Sequence, residues 1–206
     1  MQNLVKEKFY TITVVGGGLT GELMVSLLLK SNLINPDELC WINLNNKKSI
    51  DTRVSFLNTN NFFQLKHDFK YHFNKSDFLN IKKIQIHNEN EKLPLSLEDK
   101  DSHGVIIKND TLKKIISVSK KGLKIFTSKV IQTKHDQYHR LLYLENGTKI
   151  KTSLVLSADG NSSTLRDLAK IKYVCNNLNH TIISGHIYSK NFNNKIAKQV
   201  FLNDSF

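Results

Sequence analysis

Gly16, Gly18 and Gly21 lie in the run Gly16-Gly17-Gly18-Leu19-Thr20-Gly21, a GxGxxG pattern. Glycine at the first place permits a tight turn. At the second it lets backbone N–H groups approach a pyrophosphate, and at the third it lets a helix pack closely on a strand. A helix starting there contributes unpaired amides and a partial positive charge, so the chemistry is anion binding. The pattern alone is weak, and its flanks give it meaning. Phe9–Val15 (FYTITVV) reads as a buried parallel strand. Glu22–Lys30 reads as a helix with Leu23, Leu27 and Leu28 on its buried side, and Leu39–Leu44 (LCWINL) as a second buried strand. Strand, glycine turn, helix and strand make a βαβ unit, the context that turns this pattern into a dinucleotide site.

A complete fingerprint places an acidic residue about 20 positions on, where a carboxylate binds a ribose 2′-hydroxyl. Asn43 or Asn45 occupies that place, with Asn43 the better alignment. Asparagine still bonds a hydroxyl, but a neutral partner does so less strongly than a carboxylate. A bland reading of Asn43 is a strand-end residue with no ligand.

Three further segments carry polar residues at suggestive spacings. Leu154–Arg166 reads LVLSADGNSSTLR, with Asp159-Gly160 ending a strand where ligands gather in open α/β sheets. Its plain alternative is an Asp-Gly turn with Asp159 capping a helix. Asp51–Leu57 (DTRVSFL) offers Arg53, which is otherwise a surface arginine. His103–Asn109 (HGVIIKN) leads into a helix that Asn109 could simply cap.

Together these segments resemble the FAD-dependent aromatic hydroxylases of the para-hydroxybenzoate-hydroxylase-like group. Ala158, Asp159, Gly160, Ser163 and Arg166 fall in register with that family's ADGxxSxxR segment. The run at 51–57 is similar to the DxRxxAL segment of the ubiquinone-biosynthesis hydroxylases, and 103–109 to the family's GxxxxN. The resemblance covers about residues 9–172. It implies an α/β fold: a Rossmann-like FAD-binding domain with a β-meander, and the beginning of a mixed β-sheet substrate domain, truncated. The expected partition is 1–70 and 101–172 for FAD, and 71–100 and 173–206 for the partial substrate domain.

The implied cofactor is FAD, with NAD(P)H as electron donor. The cofactor-binding residues are then Gly16, Gly18, Gly21, Asn43, Arg53, Asn109, Asp159 and Gly160, with no protein catalytic residue assigned, because the cofactor carries the redox chemistry. The implied activity hydroxylates an aromatic, polyprenylated phenol or other quinone precursor. Family members are about twice this length, and their later GD motif has no counterpart after Arg166. The expected partners therefore include a complementary C-terminal half or other quinone-biosynthesis proteins. The alternative is a non-catalytic FAD- or nucleotide-binding remnant.

The totals bound these readings. The chain has 206 residues, 39% hydrophobic and 23% charged, with two prolines and two cysteines. That composition is globular. The formal net charge is +12. Its lysines are scattered and lack interleaved aromatics, so nucleic acid is not an expected partner. A basic surface does suit peripheral contact with an anionic inner membrane, and a cytoplasmic location is expected. Cys40 and Cys175 form no CxxC pair, and both read as buried thiols. No HExxH, GxSxG or P-loop pattern occurs, and no metal site is expected.

The elements that must position these residues follow from pattern. Helices are expected near Asn58–Leu65, at Asn109–Ser119 and from Ser163. Strands are expected at Lys82–His87, Leu123–Thr133, Tyr138–Glu145, Lys149–Ser157, His180–Ser189 and Lys195–Leu202. Asn146-Gly147 suits a type I′ hairpin turn.

Overall fold

The computed structural model describes residues 8–44, 51–74, 76–90, 93–176, 179, 181, 183, 185, 187 and 195–202. In chain order the elements begin with β1 (Lys8–Val15), α1 (Leu19–Ser31), β2 (Leu39–Ile42), β3 (Val54–Asn58) and α2 (Thr59–Phe69). Next come β4 (Phe78–Ile81), β5 (Lys83–Asn88), β6 (Leu95–Glu98), β7 (Gly104–Lys108) and α3 (Asn109–Ile116). The chain continues through β8 (Lys124–Phe126), β9 (Val130–His135), β10 (Arg140–Leu144), β11 (Lys149–Ser157), α4 (Thr164–Leu168) and β12 (Ile196–Phe201). Of the expected strand at His180–Ser189 only residues 181, 183, 185 and 187 are described, none of them in a strand, and the alternative ribose residue Asn45 lies outside the described residues.

This mixed α/β fold divides into two compact units. One lies within Met1–Ser49 and Ile116–Asn179, the other within Ile50–Ile115 and His180–Phe206. The first is built on a six-stranded sheet in the order β8-β2-β1-β11-β10-β9. Its β8, β2, β1 and β11 run parallel, and β10 and β9 continue antiparallel. Every residue of β2 is buried, because alternate side chains feed opposite faces. Leu39 and Trp41 pack with Val14 of β1 and Val25 of α1, while Cys40 and Ile42 pack with Leu142, Leu144 and Ile150.

Three expectations change in this unit. The run 123–133 is two strands: β8 extends the parallel sheet beside β2, and β9 starts the meander. The buried face of α1 is Gly21, Glu22, Val25 and Ser26, and Leu27 is exposed. Gly21 packs on the glycine turn and sets the rotation of the helix, so Leu27 faces outward while Leu28 and Leu29 still pack against the core. At the β10–β11 hairpin only Gly147 has positive φ, and its N–H donates to the Leu144 carbonyl at 2.9 Å. Asn146 keeps a negative φ, so the turn is type I closed by a left-handed glycine, not type I′.

The second unit holds two three-stranded sheets, β3-β7-β4 and β12-β5-β6. β3 and β4 both run antiparallel to β7, and Phe62 of α2 lies with Phe73 and Phe78 at ring distances of 4.9 Å. This pairing ties residues 51–70 and 101–115 to 78–81. The partition therefore differs from the expected one, which groups 51–70 and 101–115 with the glycine turn. β3 also precedes the expected helix, with Asn58 as its N-cap accepting from the Asn61 N–H at 2.8 Å.

Candidate functional site

The turn after β1 is shaped by its own backbone. Gly16 has φ +128°, and a Cβ there would overlap the Ala158 carbonyl at the end of β11. A Cβ at Gly21 would overlap the Gly16 carbonyl oxygen. Both glycines are thus required by the fold, with or without a ligand. Gly18 differs: its φ is −77°, open to any residue, and a Cβ would meet no protein atom within 4 Å. Gly18 is also the N-cap of α1, and no side chain caps that helix. The amides of the first turn are therefore not closed off by a capping side chain.

These groups border a crevice of about 420 Å³ at the carboxyl ends of β1, β2 and β11, lined by Gly16–Gly18, Ile42, Lys129 and Asp159-Gly160 among others. Ligands of open α/β sheets bind at this edge, where neighbouring connections leave in opposite directions. Asn43 sits between Ile42 and Leu44, both on the crevice wall, and its N–H donates to the Phe126 carbonyl of β8 at 2.8 Å.

Asp159 lines the crevice and also organises the loop that forms it. Its Oδ1 accepts from Ser157 Oγ at 2.6 Å and Ser163 Oγ at 2.5 Å, and its Oδ2 from the Leu165 N–H at 3.1 Å. Burial pushes its pKa up, but the hydrogen bonds from Ser157, Ser163 and Leu165 outweigh burial and hold the carboxyl below its ordinary value. Ser163 in turn caps α4, accepting from the Arg166 N–H at 3.1 Å. Arg166 donates to the Asn161 carbonyl at 3.0 Å and stacks 3.8 Å from the Tyr173 ring. The spacing ADGxxSxxR is thus a self-bracing loop, and Gly160 at φ +89° turns it with open space around its Cα.

Arg53 and Asn109 meet each other in the second unit, because Val54 of β3 is in register with Lys108 of β7. The Arg53 guanidinium makes a bidentate pair with Asp51, both bonds 2.8 Å. Asn109, 7% exposed, donates to Asp51 at 3.1 Å and accepts from Ser55 Oγ at 2.6 Å. Hydrogen bonding from Arg53, then from Asn109, outweighs desolvation and holds Asp51 well below the ordinary carboxylate range. Arg53 itself is 72% exposed.

Residues that belong to no sequence motif also shape the crevice. The Trp41 indole N–H donates to the Gly16 carbonyl at 2.8 Å. Glu22, buried one residue after the last glycine, pairs with Lys120 at 2.6 Å. Trp41 and Glu22 carry only the signals of a core aromatic and a first-turn acid, and Lys120 lies 98 positions from Glu22. Lys129 brings a cation to the wall. Cys175 is exposed, correcting its expected burial, whereas desolvation pushes the buried Cys40 thiol up to about 12.

A second hollow of about 490 Å³ opens beside β11, where β10 pairs only as far as Thr152. None of the sequence-predicted site residues borders it. Among the described residues no cluster of metal-binding side chains occurs, and no helix is long and apolar enough to cross a membrane.

No family model matches the sequence, and comparison with curated proteins finds no match. Solved structures do match the fold. The chain is similar to p-nitrophenol 4-monooxygenase PnpA from Pseudomonas putida, with TM-score 0.60 and 17% identity over 80% of this chain and 44% of that one. It is similar to PqsL of Pseudomonas aeruginosa, a probable FAD-dependent monooxygenase, with TM-score 0.62 and 12% identity over 81% and 47%. It is also similar to 2,6-dihydroxypyridine-3-hydroxylase from Arthrobacter nicotinovorans, with TM-score 0.56 and 13% identity over 79% and 40%. The chain shares its fold with these two monooxygenases and this hydroxylase, and it spans less than half the length of each of these structures.

Proposed function

We propose that this chain is the FAD-binding portion of a flavin-dependent monooxygenase acting on an aromatic substrate. The observation that carries the reading is Gly18. Neither its backbone angles nor its protein neighbours require glycine, yet it faces a crevice beside an uncapped helix N-terminus. A ligand backed against the turn supplies the missing reason for glycine there.

The residues present fit FAD. The Gly16–Gly18 turn and the first amides of α1 would hold its pyrophosphate, with Lys129 adding positive charge. Asn43 would bond the ribose, and Asp159-Gly160 would close the opposite wall. Bound FAD would supply the redox chemistry, with NAD(P)H as donor. The protein's part is to fix the turn and keep Asp159 ionised within its loop.

Two fold neighbours are named for hydroxylating or oxidising small aromatic rings. That supports an aromatic substrate. The narrower reading, a polyprenylated phenol in ubiquinone biosynthesis, rests on DTRVSFL at 51–57. A net charge of +12 would suit peripheral contact with the anionic membrane where such a substrate resides. A second reading, a nucleotide-binding remnant without turnover, is favoured by the Arg53–Asp51 pair, which occupies the one arginine assigned to the cofactor.

The test is Gly18→Ala. Titration with FAD, followed by flavin fluorescence, should show affinity lowered at least about tenfold, since a Cβ would stand between turn and pyrophosphate. Thermal stability should stay within about 0.5 kcal/mol of the parent, or rise, because no protein atom is displaced. Unchanged FAD affinity in this variant, or no FAD binding by the parent chain, defeats the proposal. NADPH-driven reduction of the bound flavin separates an enzyme portion from a remnant.

A further inference from the structure

Behind the glycine turn lies a linked set of residues from three segments. Trp41 is the chain's single tryptophan and is 2% exposed. Its indole carries one N–H, which donates to the Gly16 carbonyl at 2.8 Å. That same carbonyl oxygen fills the space where a Gly21 side chain would stand. The Gly16 carbonyl is thus wedged between the indole of β2 and the first turn of α1.

The peptide bond is planar and trans, so fixing the Gly16 oxygen also fixes the plane that carries the Gly17 amide. A carbonyl released from this wedge could rotate toward the crevice, where its partial negative charge would oppose an anionic ligand. Trp41 is held in its turn. The Lys120 ammonium lies 5.3 Å from the ring centroid and is bound to Glu22 of α1 at 2.6 Å and to Ser117 Oγ at 3.3 Å. A cation over an indole face is attracted to it. The ring is therefore clamped through Gly16 just after β1 and, by way of Lys120, through Glu22 on α1.

We propose that Trp41 is a positioning residue for the phosphate-binding turn: its indole N–H orients the Gly16–Gly17 peptide and thereby sets the affinity for FAD. The inference rests on the FAD reading above and extends it to a residue outside the glycine pattern. Flavin absorbs where indole emits, so the same tryptophan also reports binding through quenching of its fluorescence.

The experiment compares FAD dissociation constants for the full chain and three variants. Trp41→Phe should weaken binding at least tenfold. Replacing Trp41 by benzothienylalanine keeps the ring's shape and removes only the N–H, and it should weaken binding to a similar degree with the melting temperature little changed. Val25→Ala, which loosens the same core without touching the turn, should lower the melting temperature and leave the dissociation constant within twofold. A benzothienylalanine protein that binds FAD as the parent does overturns the inference, even if Trp41→Phe fails to fold. A Val25→Ala protein that loses affinity in proportion to stability also overturns it, because the effect is then general loosening. Absence of FAD binding by the parent overturns the cofactor reading and this inference with it, whereas normal binding by the parent with unchanged variants overturns the inference alone.

Discussion

Two polar constellations, one in each unit, are assigned to the same cofactor by their motifs, and they are built in opposite ways. At the glycine turn the polar groups brace the walls and leave a crevice open between them. Asp159 is consumed by its own loop, Gly16 by Trp41, and Gly18 is left facing open space. Around Asp51 the polar groups bond one another: Arg53 and Asn109 both donate to Asp51, and Ser55 donates to Asn109. A binding site needs directed groups with room before them. A network whose donors already have acceptors binds a ligand only by breaking bonds it has made. The difference separates an open crevice from a braced strand pair, although both read as motifs in the sequence.

The comparison breaks most decisively at Gly16. Gly16→Ala places a Cβ on the Ala158 carbonyl at a backbone angle hostile to alanine. The expected cost is on the order of 3 kcal/mol or more, with FAD binding lost, measured by thermal melting and titration. If Gly16→Ala melts like the parent, the turn is not a fixed wall.

Acid should separate the two constellations next. Asp159 and Asp51 are both held below the ordinary aspartate value. A depressed carboxylate contributes stability that is complete above its unfolded pKa, about 3.9, and disappears as pH falls through its folded value. Below about pH 4 the parent should therefore lose stability, and Asp159→Asn and Asp51→Asn should each flatten that slope. At neutral pH Asp159→Asn should cost about 1–3 kcal/mol, because it removes a charged acceptor from Ser157, Ser163 and the Leu165 amide. An unaltered acid limb in both variants would mean that neither carboxylate is held by its hydrogen bonds.

The smallest effect belongs to Arg53. Its side chain is largely exposed, and Arg53→Ala should leave the melting temperature nearly unchanged. FAD affinity should stay within twofold. A tenfold loss would show instead that the pair with Asp51 opens to reach the cofactor, and would erase the contrast between the two constellations.

The strand, turn and helix around Gly16–Gly21 are legible in the sequence because local pattern dictates them: a β-branched run, glycines at fixed spacing, then an uninterrupted helix former. The register of ADGxxSxxR is legible for the same reason, since the side-chain hydrogen bonds that brace it close within ten residues. Less of the rest can be read. Helical spacing puts Leu27 in the core, but the docking of Gly21 on Gly16 sets the rotation of α1 and turns Leu27 outward. The split of 123–133 into β8 and β9 follows from β2 offering β8 an edge, a partner that lies about 80 residues away in sequence.

The sequence by itself determined that a strand, a glycine turn and a helix follow one another, because turn angles and helix amides are properties of a few neighbouring residues. Only the tertiary structure decided which glycine faces open space and which two serve the fold. It also decided that Arg53 faces Asp51, and that a tryptophan on the next strand holds the turn. Each of those facts depends on atoms brought together by folding, where packing and not spacing selects the partner.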